Sequence, residues 1–276
     1  MRIFILASGS KGNAALFESH GMRILVDVGI GPRTLASRLE QVGAGGMPHA
    51  IVVTHAHADH AGHCALLARK LGVPVYTTRN VARAVDLADR DRIHIFGTRE
   101  PFRIGPFTVS PTPVPHDAPQ VSLVVADDAG SVGLATDLGE IPSGLFDHLA
   151  GCDVLLVESN HDLDMLASGP YPDFLKKRIL STRGHLSNDQ ARELLARLPA
   201  RTHTVVLMHL SEVNNDPRLA LESAADALTG RRVRIAAARQ REAIAIDLRS
   251  PGALAHITYG VAAAPRSGDH REGHAG

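Results

Sequence analysis

Three histidines and one aspartate lie close together in the segment Thr54-His55-Ala56-His57-Ala58-Asp59-His60, directly after the apolar run Ile51-Val52-Val53. A buried imidazole carries one hydrogen-bond donor and one acceptor that both need partners, so the cluster is poorly suited to an apolar core. Imidazole and carboxylate ligands together favour zinc, iron or manganese over calcium or magnesium. A solvated polar loop would not explain so dense a pattern at this place. The segment therefore predicts a transition-metal site.

The spacing within this segment divides its side chains into two pairs. His55 and His57, two residues apart in an extended stretch, can face one ion. Asp59 and His60, at the turn into the next helical pattern, can face another. Two ions need more ligands than these four. Three further candidates follow apolar strands, where side chains project at the edge of a sheet: His116, Asp137 and His209.

The elements that position these residues are predicted from hydrophobic periodicity. Short runs rich in Val, Ile and Leu predict strands over residues 2–7, 14–18, 23–27, 50–54, 107–113, 121–127, 131–136, 153–158, 204–209 and 243–248. Helical periodicity predicts helices over residues 33–42, 61–71 and 187–198, the last with the N-cap cluster Ser187-Asn188-Asp189. Hairpin-like neighbours among the first strands indicate antiparallel pairing. A mixed two-sheet sandwich with outer helices therefore fits better than a doubly wound parallel sheet.

Composition excludes several classes of protein. The 276 residues are 44% hydrophobic and 21% charged, which is typical of a globular chain with a substantial core. The 29 basic residues balance the 29 acidic ones, so net charge does not drive binding to nucleic acid or to a membrane. No apolar run reaches the roughly 18 residues of a membrane span, and the apolar start ends too early for a secretory signal. Two cysteines exclude a disulfide framework and indicate the cytoplasm.

We predict a single folded domain over residues 1–264, followed by a disordered tail over residues 265–276. No stretch rich in Pro, Gly or Ser divides the chain in two. The tail Pro265-Arg266-Ser267-Gly268-Asp269-His270-Arg271-Glu272-Gly273-His274-Ala275-Gly276 has no apolar period with which it could join a core.

The order of the candidate ligands resembles that of the metallo-β-lactamase superfamily. The resemblance consists of His-x-His-x-Asp-His followed by an isolated His, an Asp and a final His, each after a strand. It implies an α/β (α+β) fold, the four-layer αββα sandwich, with a dinuclear site between the sheets. The two divalent metal ions would be zinc or manganese, with iron also compatible. By this resemblance, one ion is held by His55, His57 and His116, the other by Asp59, His60 and His209, and Asp137 bridges them.

Four further segments are similar to the WalJ/YycJ branch of that superfamily. They are Ala7-Ser8-Gly9-Ser10-Lys11-Gly12-Asn13-Ala14, Glu158-Ser159-Asn160-His161-Asp162, Gly184-His185-Leu186-Ser187-Asn188 and His209-Leu210-Ser211-Glu212-Val213-Asn214-Asn215. Characterised members of the branch are described as metal-dependent nucleases that act 5′ to 3′ on DNA. The resemblance therefore implies an exonuclease whose partner is nucleic acid, with DNA as the first candidate.

The segments around Glu158 and His185 are also similar to paired motifs of ribonuclease Z, where a Glu and a His form a proton relay. In the implied phosphodiesterase reaction, the two cations share a hydroxide that attacks phosphorus, and Asp59 is a catalytic ligand. His185, oriented by Glu158, would protonate the leaving alkoxide, a contribution of roughly 10²–10⁴-fold. A helix-capping loop is the alternative explanation of His185. Glu158 ends the apolar run Val154-Leu155-Leu156-Val157, where a carboxylate without a partner would be costly, and this favours the pair. The chain has no arm of the ribonuclease Z kind and no extra domain of the ribonuclease J kind, which disfavours tRNA 3′ processing.

Other polar residues are candidates for binding substrate phosphates. In the glycine-rich loop these are Ser8, Ser10 and Asn13, which with backbone N–H groups could cradle a phosphate, although such loops are mostly plain turns. In the basic run Lys176-Lys177-Arg178 they are Lys176 and Arg178, and a solvated helix face is the alternative. Asn160 and His161 are candidates through the resemblance alone.

Several functions stay open at this point because the fold does not select a substrate. A DNA phosphodiesterase leads, and a ribonuclease is an alternative. A small-molecule thioester or lactone hydrolase is the second class, and it would need neither His185 nor the basic run. A metal-binding regulatory module without turnover is disfavoured, because every ligand position is intact. Metal identity, exo- or endonuclease action, polarity and oligomeric state also stay open.

Overall fold

Two mixed β-sheets form the centre of the fold. The computed structural model describes residues 1–85, 87, 90–198, 201–249, 254–255 and 260–262. One sheet contains β1 (Arg2–Ala7), β2 (Ala14–Ser19), β3 (Met22–Val26), β4 (Ala50–Val53), β5 (Val75–Thr77), β6 (Ile93–Ile95), β14 (Ile244–Asp247) and β15 (Leu254–Ala255), in the order β15-β14-β1-β2-β3-β4-β5-β6. The other contains β7 (Phe102–Ile104), β8 (Phe107–Val114), β9 (Gln120–Asp127), β10 (Gly130–Ala135), β11 (Val154–Glu158), β12 (Thr204–Met208), β13 (Arg234–Ala237) and β16 (Gly260–Ala262), in the order β16-β13-β12-β11-β10-β9-β8-β7.

Helices cover the outer faces of the two sheets. Within the described residues these are α1 (Pro32–Gln41), α2 (Ala58–Ala61), α3 (Cys64–Leu71), α4 (Arg79–Ala84), α5 (Ser143–Leu149), α6 (Leu163–Ser168), α7 (Asp173–Ile179), α8 (Asn188–Ala196) and α9 (Pro217–Ala227). Apolar side chains of α1 and α3 pack on the first sheet, and those of α5, α8 and α9 pack on the second. The layers therefore follow the αββα order that the sequence predicts.

Strict alternation of side chains produces these layers. In β1, Ile3 and Ile5 enter the core between the sheets, whereas Phe4 and Leu6 enter the outer core beneath α1 and α3. β11 behaves in the same way, since Val154 and Leu156 face the other sheet and its remaining apolar residues face the helices. Successive side chains of a strand point to opposite faces, so a strand that is apolar at every position must be covered on both.

The predicted elements correspond to observed ones, with three kinds of difference. The helices α4, α5, α6, α7 and α9 were not predicted. The helix predicted over residues 61–71 is two helices, α2 and α3, separated at Gly62 and His63. The short strands β5, β6, β7, β13, β15 and β16 were not predicted, because two to four residues are too few to show a period. Ser187 caps α8 as predicted, in a capping box with Gln190. The single domain over residues 1–264 stays a prediction, and the tail at 265–276 lies outside the described residues.

Parallel pairing places the carboxyl ends of several strands at one edge of the sandwich. In the first sheet β3 and β4 are parallel, and in the second β10, β11 and β12 are parallel. The residues that follow these strands therefore emerge side by side. Ser8, just after β1, joins the two sheets at this edge, because its Oγ accepts a hydrogen bond of 2.7 Å from the backbone N–H of His209.

Three loops meet at this edge by direct backbone contact. Asn13 donates its backbone N–H to the carbonyl of Asp59 over 2.7 Å, and Gly29 donates to the carbonyl of Asn13 over 2.9 Å. A Cβ atom at Gly29 would lie only 1.8 Å from the carbonyl oxygen of Asp59. Glycine is therefore required at this position for the loop after β4 to reach its place. In the described part of the chain, no helix is long and apolar enough to cross a membrane.

The core between the sheets is expected to carry much of the stability. Phe107 is fully buried there, so Phe107→Ala should lower the free energy of unfolding by about 3–5 kcal/mol. Phe174 is 74% exposed, so Phe174→Ala should change the free energy of unfolding by no more than about 0.5 kcal/mol. Urea denaturation followed by circular dichroism measures both. Equal midpoints for the two variants would contradict the assignment of Phe107 to the core.

Candidate metal centre

The seven predicted ligands come together at the shared edge of the two sheets. Their ligand atoms form two groups, each within 4.8 Å: His55, His57 and His116 in one, and Asp59, His60, Asp137 and His209 in the other. These are the sets that the sequence predicts for two ions, with Asp137 in the second set. A bridging position for Asp137 stays a prediction.

The first group is a cage of three imidazoles. His57 Nδ1 lies 3.3 Å from His116 Nε2. The ring of His55 is 4.8 Å from that of His57 and 5.3 Å from that of His116, measured between centroids. His55 Nε2 is buried and has no hydrogen-bond partner among the residues described. An unpartnered buried nitrogen is costly unless something else binds it, and a cation among these three rings would do so.

The second group combines two imidazoles with two carboxylates. Asp137 Oδ2 lies 3.0 Å from His60 Nε2, and Asp137 Oδ1 lies 3.5 Å from His209 Nε2. Asp59 Oδ2 lies 3.3 Å from His209 Nε2 and 3.7 Å from His60 Nε2. Four-coordinate ligands at about 2.0–2.1 Å from one ion are about 3.3–3.4 Å apart. The spacing of both groups therefore fits the ligand shell of a small divalent cation.

Each of the five ligand rings has its other nitrogen close to a supporting group. Such contacts fix the tautomer and orientation of a metal-binding imidazole. The pairs are His55 Nδ1 with Thr54 Oγ1 at 3.1 Å, His57 Nε2 with Asp117 Oδ1 at 3.1 Å, His60 Nδ1 with Asp27 Oδ2 at 2.7 Å, His116 Nδ1 with the carbonyl of Gly184 at 3.2 Å, and His209 Nδ1 with Glu158 Oε1 at 3.4 Å. The rings are thus held with one nitrogen directed into the ligand group.

Backbone strain is concentrated in this site. Among the described residues, the non-glycine positions with positive φ are His20, Asp27, Asp137 and His209. The last three follow β3, β10 and β12 and have φ values of 62°, 59° and 56°. Such conformations are unfavourable for most residues and persist where the surroundings determine them. Here they turn each side chain back toward the ligand group at the end of its strand.

Burial and mutual charge determine the protonation of the group. Burial lowers the pKa of His55 well below its usual value, and neighbouring His60 lowers it further. Burial of His209 is outweighed by the charge of Asp137 and a hydrogen bond to Asp59, which raise its pKa to about 10. The pKa of Asp137 is held well below its usual value, because His209 and His60 outweigh the effect of its burial. The second group is therefore an environment that favours positive charge.

Glu158 and His185 form a pair beside the second group. Glu158 Oε1 lies 2.8 Å from His185 Nδ1, and Oε2 accepts backbone hydrogen bonds from Leu138 and Leu186 at 2.9 and 3.0 Å. Burial would raise the pKa of Glu158, but the charge and hydrogen bond of His185 together with His209 lower it to about 2. The His185 side chain is 21% exposed, and its Nε2 has no hydrogen-bond partner in the part of the chain described. The predicted pair is therefore in contact, with one ring nitrogen free.

The pair is a hydrogen-bonded unit rather than a third ion site. Asp137, Glu158, His185 and His209 also bring ligand atoms within 4.8 Å of one another. However, the 2.8 Å between Glu158 Oε1 and His185 Nδ1 is a hydrogen-bond distance, so the contact of these two side chains is explained without a third ion. Asp137 Oδ1 is 3.7 Å from His185 Nδ1 and belongs to the ligand group.

Three of the candidate phosphate-binding residues are buried supports of the ligands. Ser8 accepts the hydrogen bond from His209 N–H, and Asn160 Nδ2 donates to the His209 carbonyl at 2.8 Å. Asn13 Nδ2 lies 2.9 Å from His60 Nε2 and donates to the carbonyl of Gly9. Phosphate binding by these side chains stays a prediction, and the contacts made here position His209 and His60.

The remaining candidates lie in different surroundings. Ser10 is exposed at the tip of its loop. His161 is buried, neither ring nitrogen has a partner among the described residues, and burial lowers its pKa to about 4. Lys176 donates to the carbonyl of Ala167 at 2.6 Å. Arg178 pairs with Asp117, whose Oδ1 contacts His57 and His116. Their roles toward a substrate stay predictions.

Sequence reasoning missed Asp27 as a site residue. Its carboxylate is buried, and it accepts hydrogen bonds from His60 Nδ1 and from the backbone and hydroxyl of Thr54 at 2.7–3.0 Å. The signal was available, because an acidic residue at the end of an apolar strand needs a buried partner. That argument was applied to Glu158 and applies equally to Asp27.

Comparison with known proteins agrees with this site. The chain matches the family described as Beta-lactamase superfamily domain over residues 22–210, a segment that contains all seven predicted ligands. It is 36% identical over 228 residues to a Streptococcus pneumoniae protein named Exodeoxyribonuclease WalJ, covering 78% of this chain and 84% of that protein. It is 31% identical over 231 residues to Exodeoxyribonuclease YycJ of Bacillus anthracis, covering 81% and 88% respectively.

The fold is also that of a solved structure. The metallo-beta-lactamase fold protein YhfI from Bacillus subtilis superposes with a TM-score of 0.69 at 18% identity, over 88% of this chain and 98% of that one. The predicted αββα sandwich is thereby confirmed. The ligand order, the two-sheet architecture and the identity to WalJ and YycJ all agree, and the chain belongs to the metallo-β-lactamase superfamily, in the WalJ/YycJ branch.

Proposed function

We propose that the chain is a metal-dependent nuclease that degrades DNA from its 5′ end. The observation that carries this proposal is the pair of Glu158 and His185, in contact at 2.8 Å beside two groups of metal ligands. Two relatives at 36% and 31% identity are named exodeoxyribonucleases, which supports DNA as the substrate and exonuclease action. The 5′ to 3′ polarity is part of the proposal.

The chain provides ligands for two divalent cations, for which we propose zinc or manganese. His55, His57 and His116 would hold one. Asp59, His60 and His209 would hold the other, with Asp137 shared between the two. When bound, such a pair lowers the pKa of a bound water toward 7 and offers positive charge to the attacking and leaving oxygens of a phosphodiester.

We assign proton transfer to His185. Its Nδ1–H is directed to Glu158, so the Nε2 on the exposed side can carry a proton to the leaving oxygen as the phosphorus–oxygen bond breaks. Glu158 is ionised and fully buried, and two backbone N–H groups hold its other oxygen. It therefore fixes the orientation of the His185 ring.

We place this activity in the cytoplasm. The two cysteines, Cys64 and Cys152, are both buried and unpaired, as is usual in a reducing compartment. Burial raises the pKa of each thiol to about 12, so neither is a reactive thiolate at neutral pH.

Asp59→Ala should abolish hydrolysis of 5′-phosphorylated duplex DNA in the presence of manganese or zinc. The substitution removes a carboxylate ligand from the second group, so metal content measured by elemental analysis should fall by about one ion per chain. Asp164→Ala, an exposed aspartate on α6, is the matched control and should change neither quantity. Full nuclease activity in Asp59→Ala would contradict the proposal.

His185→Ala should lower kcat on DNA by about 10²–10⁴-fold while the metal content stays unchanged. His20→Ala, which removes the exposed histidine paired with Asp128 at 2.9 Å, should have no effect. A thioester and lactone panel run on the same preparations distinguishes the alternative hydrolase. If those esters are cleaved rapidly by wild type and by His185→Ala while DNA is not cleaved, the chain is a small-molecule hydrolase.

Asp27→Asn should weaken metal binding by about 10–100-fold, because the buried carboxylate that orients His60 is lost. Competition with a chromogenic chelator measures the affinity of each ion. Asp127→Asn serves as the control, because this strand-end aspartate pairs with the amino terminus at 3.6 Å and contacts no ligand. Equal metal affinity for the two variants would show that Asp27 has only a structural role.

A further inference from the structure

One face of α7 carries exposed side chains that the proposed hydrolytic site does not use. Phe174, Lys177 and Arg178 are exposed, whereas Ile179 is buried. Spacings of three and four residues place the exposed three on one side of the helix, here called the α7 face. Phe174 is 74% exposed, more than any other large hydrophobic side chain in the described ranges, and the others with high exposure are aliphatic. A chain with only 4% aromatic residues thus keeps one in solvent.

The α7 face adjoins the metal ligands through one chain of contacts. Arg178 Nε donates to Asp117 Oδ2 at 2.9 Å. Asp117 Oδ1 lies 3.1 Å from His57 Nε2 and 3.3 Å from His116 Nε2. Phe174 lies one helical turn from Arg178, so their Cβ atoms are about 5–6 Å apart. Stacked nucleotides on one strand are spaced by about 3.4 Å, which puts Phe174 within a few nucleotides of the ligands.

This face also lies on the open side of the site. His57 and Asp59, whose side chains are 33% and 22% exposed, are the most accessible of the seven ligands, and the other five are buried. A phosphate therefore reaches the site from the side of His57 and Asp59, and His57 is joined to α7 through the contacts of Asp117 and Arg178. Because five of the seven predicted ligands are buried, a single strand can bring a phosphate to them more closely than an intact duplex can.

The charge of the surrounding segment suits a phosphate backbone. Residues 171–183 contain four basic side chains, Lys176, Lys177, Arg178 and Arg183, against the single acidic Asp173. Lys176 and Arg178 are engaged with Ala167 and Asp117. Lys177 has no ion pair or hydrogen bond through its side chain among the residues described. It is therefore the basic group of the α7 face that is free to bind a phosphate.

We infer that the α7 face binds single-stranded DNA, with a base stacked on Phe174 and an adjacent phosphate contacted by Lys177. This inference rests on the proposed nuclease function and extends it to the form of DNA at the site. Aromatic rings stack on any base without sequence preference, and a neighbouring cation holds the backbone. Phe174 thus positions a strand that has left its duplex, and it does not touch the reacting atoms.

The chain contains no tryptophan, so Phe174→Trp introduces a single fluorophore on the α7 face. In an Asp59→Ala background, which prevents degradation, a 5′-phosphorylated single-stranded oligonucleotide should quench its emission as a base stacks on the indole. Leu219→Trp, at a 39% exposed position on α9, is the matched control and should not be quenched. Quenching equal to that of the control would overturn the inference.

Binding and kinetics separate stacking from charge. Phe174→Ala should raise Kd and KM for single-stranded DNA about tenfold with kcat nearly unchanged, and Phe174→Trp should restore both. Lys177→Ala should reduce the slope of log affinity against log salt by about 0.7, whereas Phe174→Ala should leave that slope unchanged. Lys70→Ala, an exposed lysine on α3, is the control for charge. Unchanged Kd and KM in Phe174→Ala would overturn the inference.

The two proposals fail in different ways. If wild type cleaves DNA and Phe174→Ala cleaves it with the same KM, the nuclease function stands and the α7 inference is wrong. If Phe174→Trp is quenched by single-stranded DNA but no preparation cleaves DNA, the binding face stands and the nuclease function fails. If Phe174→Ala changes self-association in sedimentation without changing DNA affinity, the face is a contact between copies of the chain, which also overturns the inference.

Discussion

The structure depends on how it provides partners for the nitrogens of several imidazole rings that lie together at one edge of the sandwich. Each ring has two nitrogens, and a buried nitrogen without a partner is costly. In all five ligand histidines one nitrogen lies against a supporting group, such as Asp27 for His60 or the carbonyl of Gly184 for His116. The other nitrogen faces the ligand group. The outer nitrogen of each ring thus has a protein partner, and the inner nitrogens converge where a cation would bind.

The two sheets are arranged to meet this requirement. Parallel pairing in both sheets places strand ends together, and the buried strands provide rigid supports for short loops. Positive φ at Asp27, Asp137 and His209 then turns the side chain at each strand end inward. The strain at these positions is of order 1–3 kcal/mol each, and it is sustained because the strands on which they stand are buried on both faces. Core packing and site geometry are therefore coupled at the same residues.

The sequence was sufficient to predict which side chains come together, because residue type and position at a strand end both carry information. His116, Asp137 and His209 each follow an apolar run, and the structure brings all three to the cluster at His55–His60. Directions of side chains were not predictable in the same way. Ser8 and Asn13 have residue types suited to a phosphate, yet their contacts are with His209 and His60. A hydroxyl or an amide can hydrogen-bond either to a predicted metal ligand or to a substrate phosphate, and only the fold shows which contact it makes.

Short strands and the residues that support the ligands were not predicted, for a related reason. The strands β5 and β6 contain three residues each, which is too short to show an alternation of apolar and polar residues. Asp27 is a single carboxylate at the end of a strand, and its importance lies in the 2.7 Å contact with His60, which is 33 residues away in the chain. Long-range pairs of this kind have no local pattern. The chemistry of the site was therefore visible in the sequence, whereas the network that orients it was not.

The two sides of the site differ. The inner side holds the buried predicted ligands, and the outer side leads to the exposed α7 face that we propose binds DNA. On the inner side the ligands are buried and every support is a hydrogen bond to a rigid strand or loop, so the reacting groups have little freedom. On the outer side, the supports of His57 lead through Asp117 to Arg178 on a short helix whose face is in solvent. Substitutions of Phe174 or Lys177 are expected to alter what the site holds without disturbing the predicted ligands, because on the α7 face the contact with a support of a ligand is made by Arg178. Relatives with the same ligands and different substrates are expected to differ on this outer side, since a shared fold leaves selection to the groups around the site.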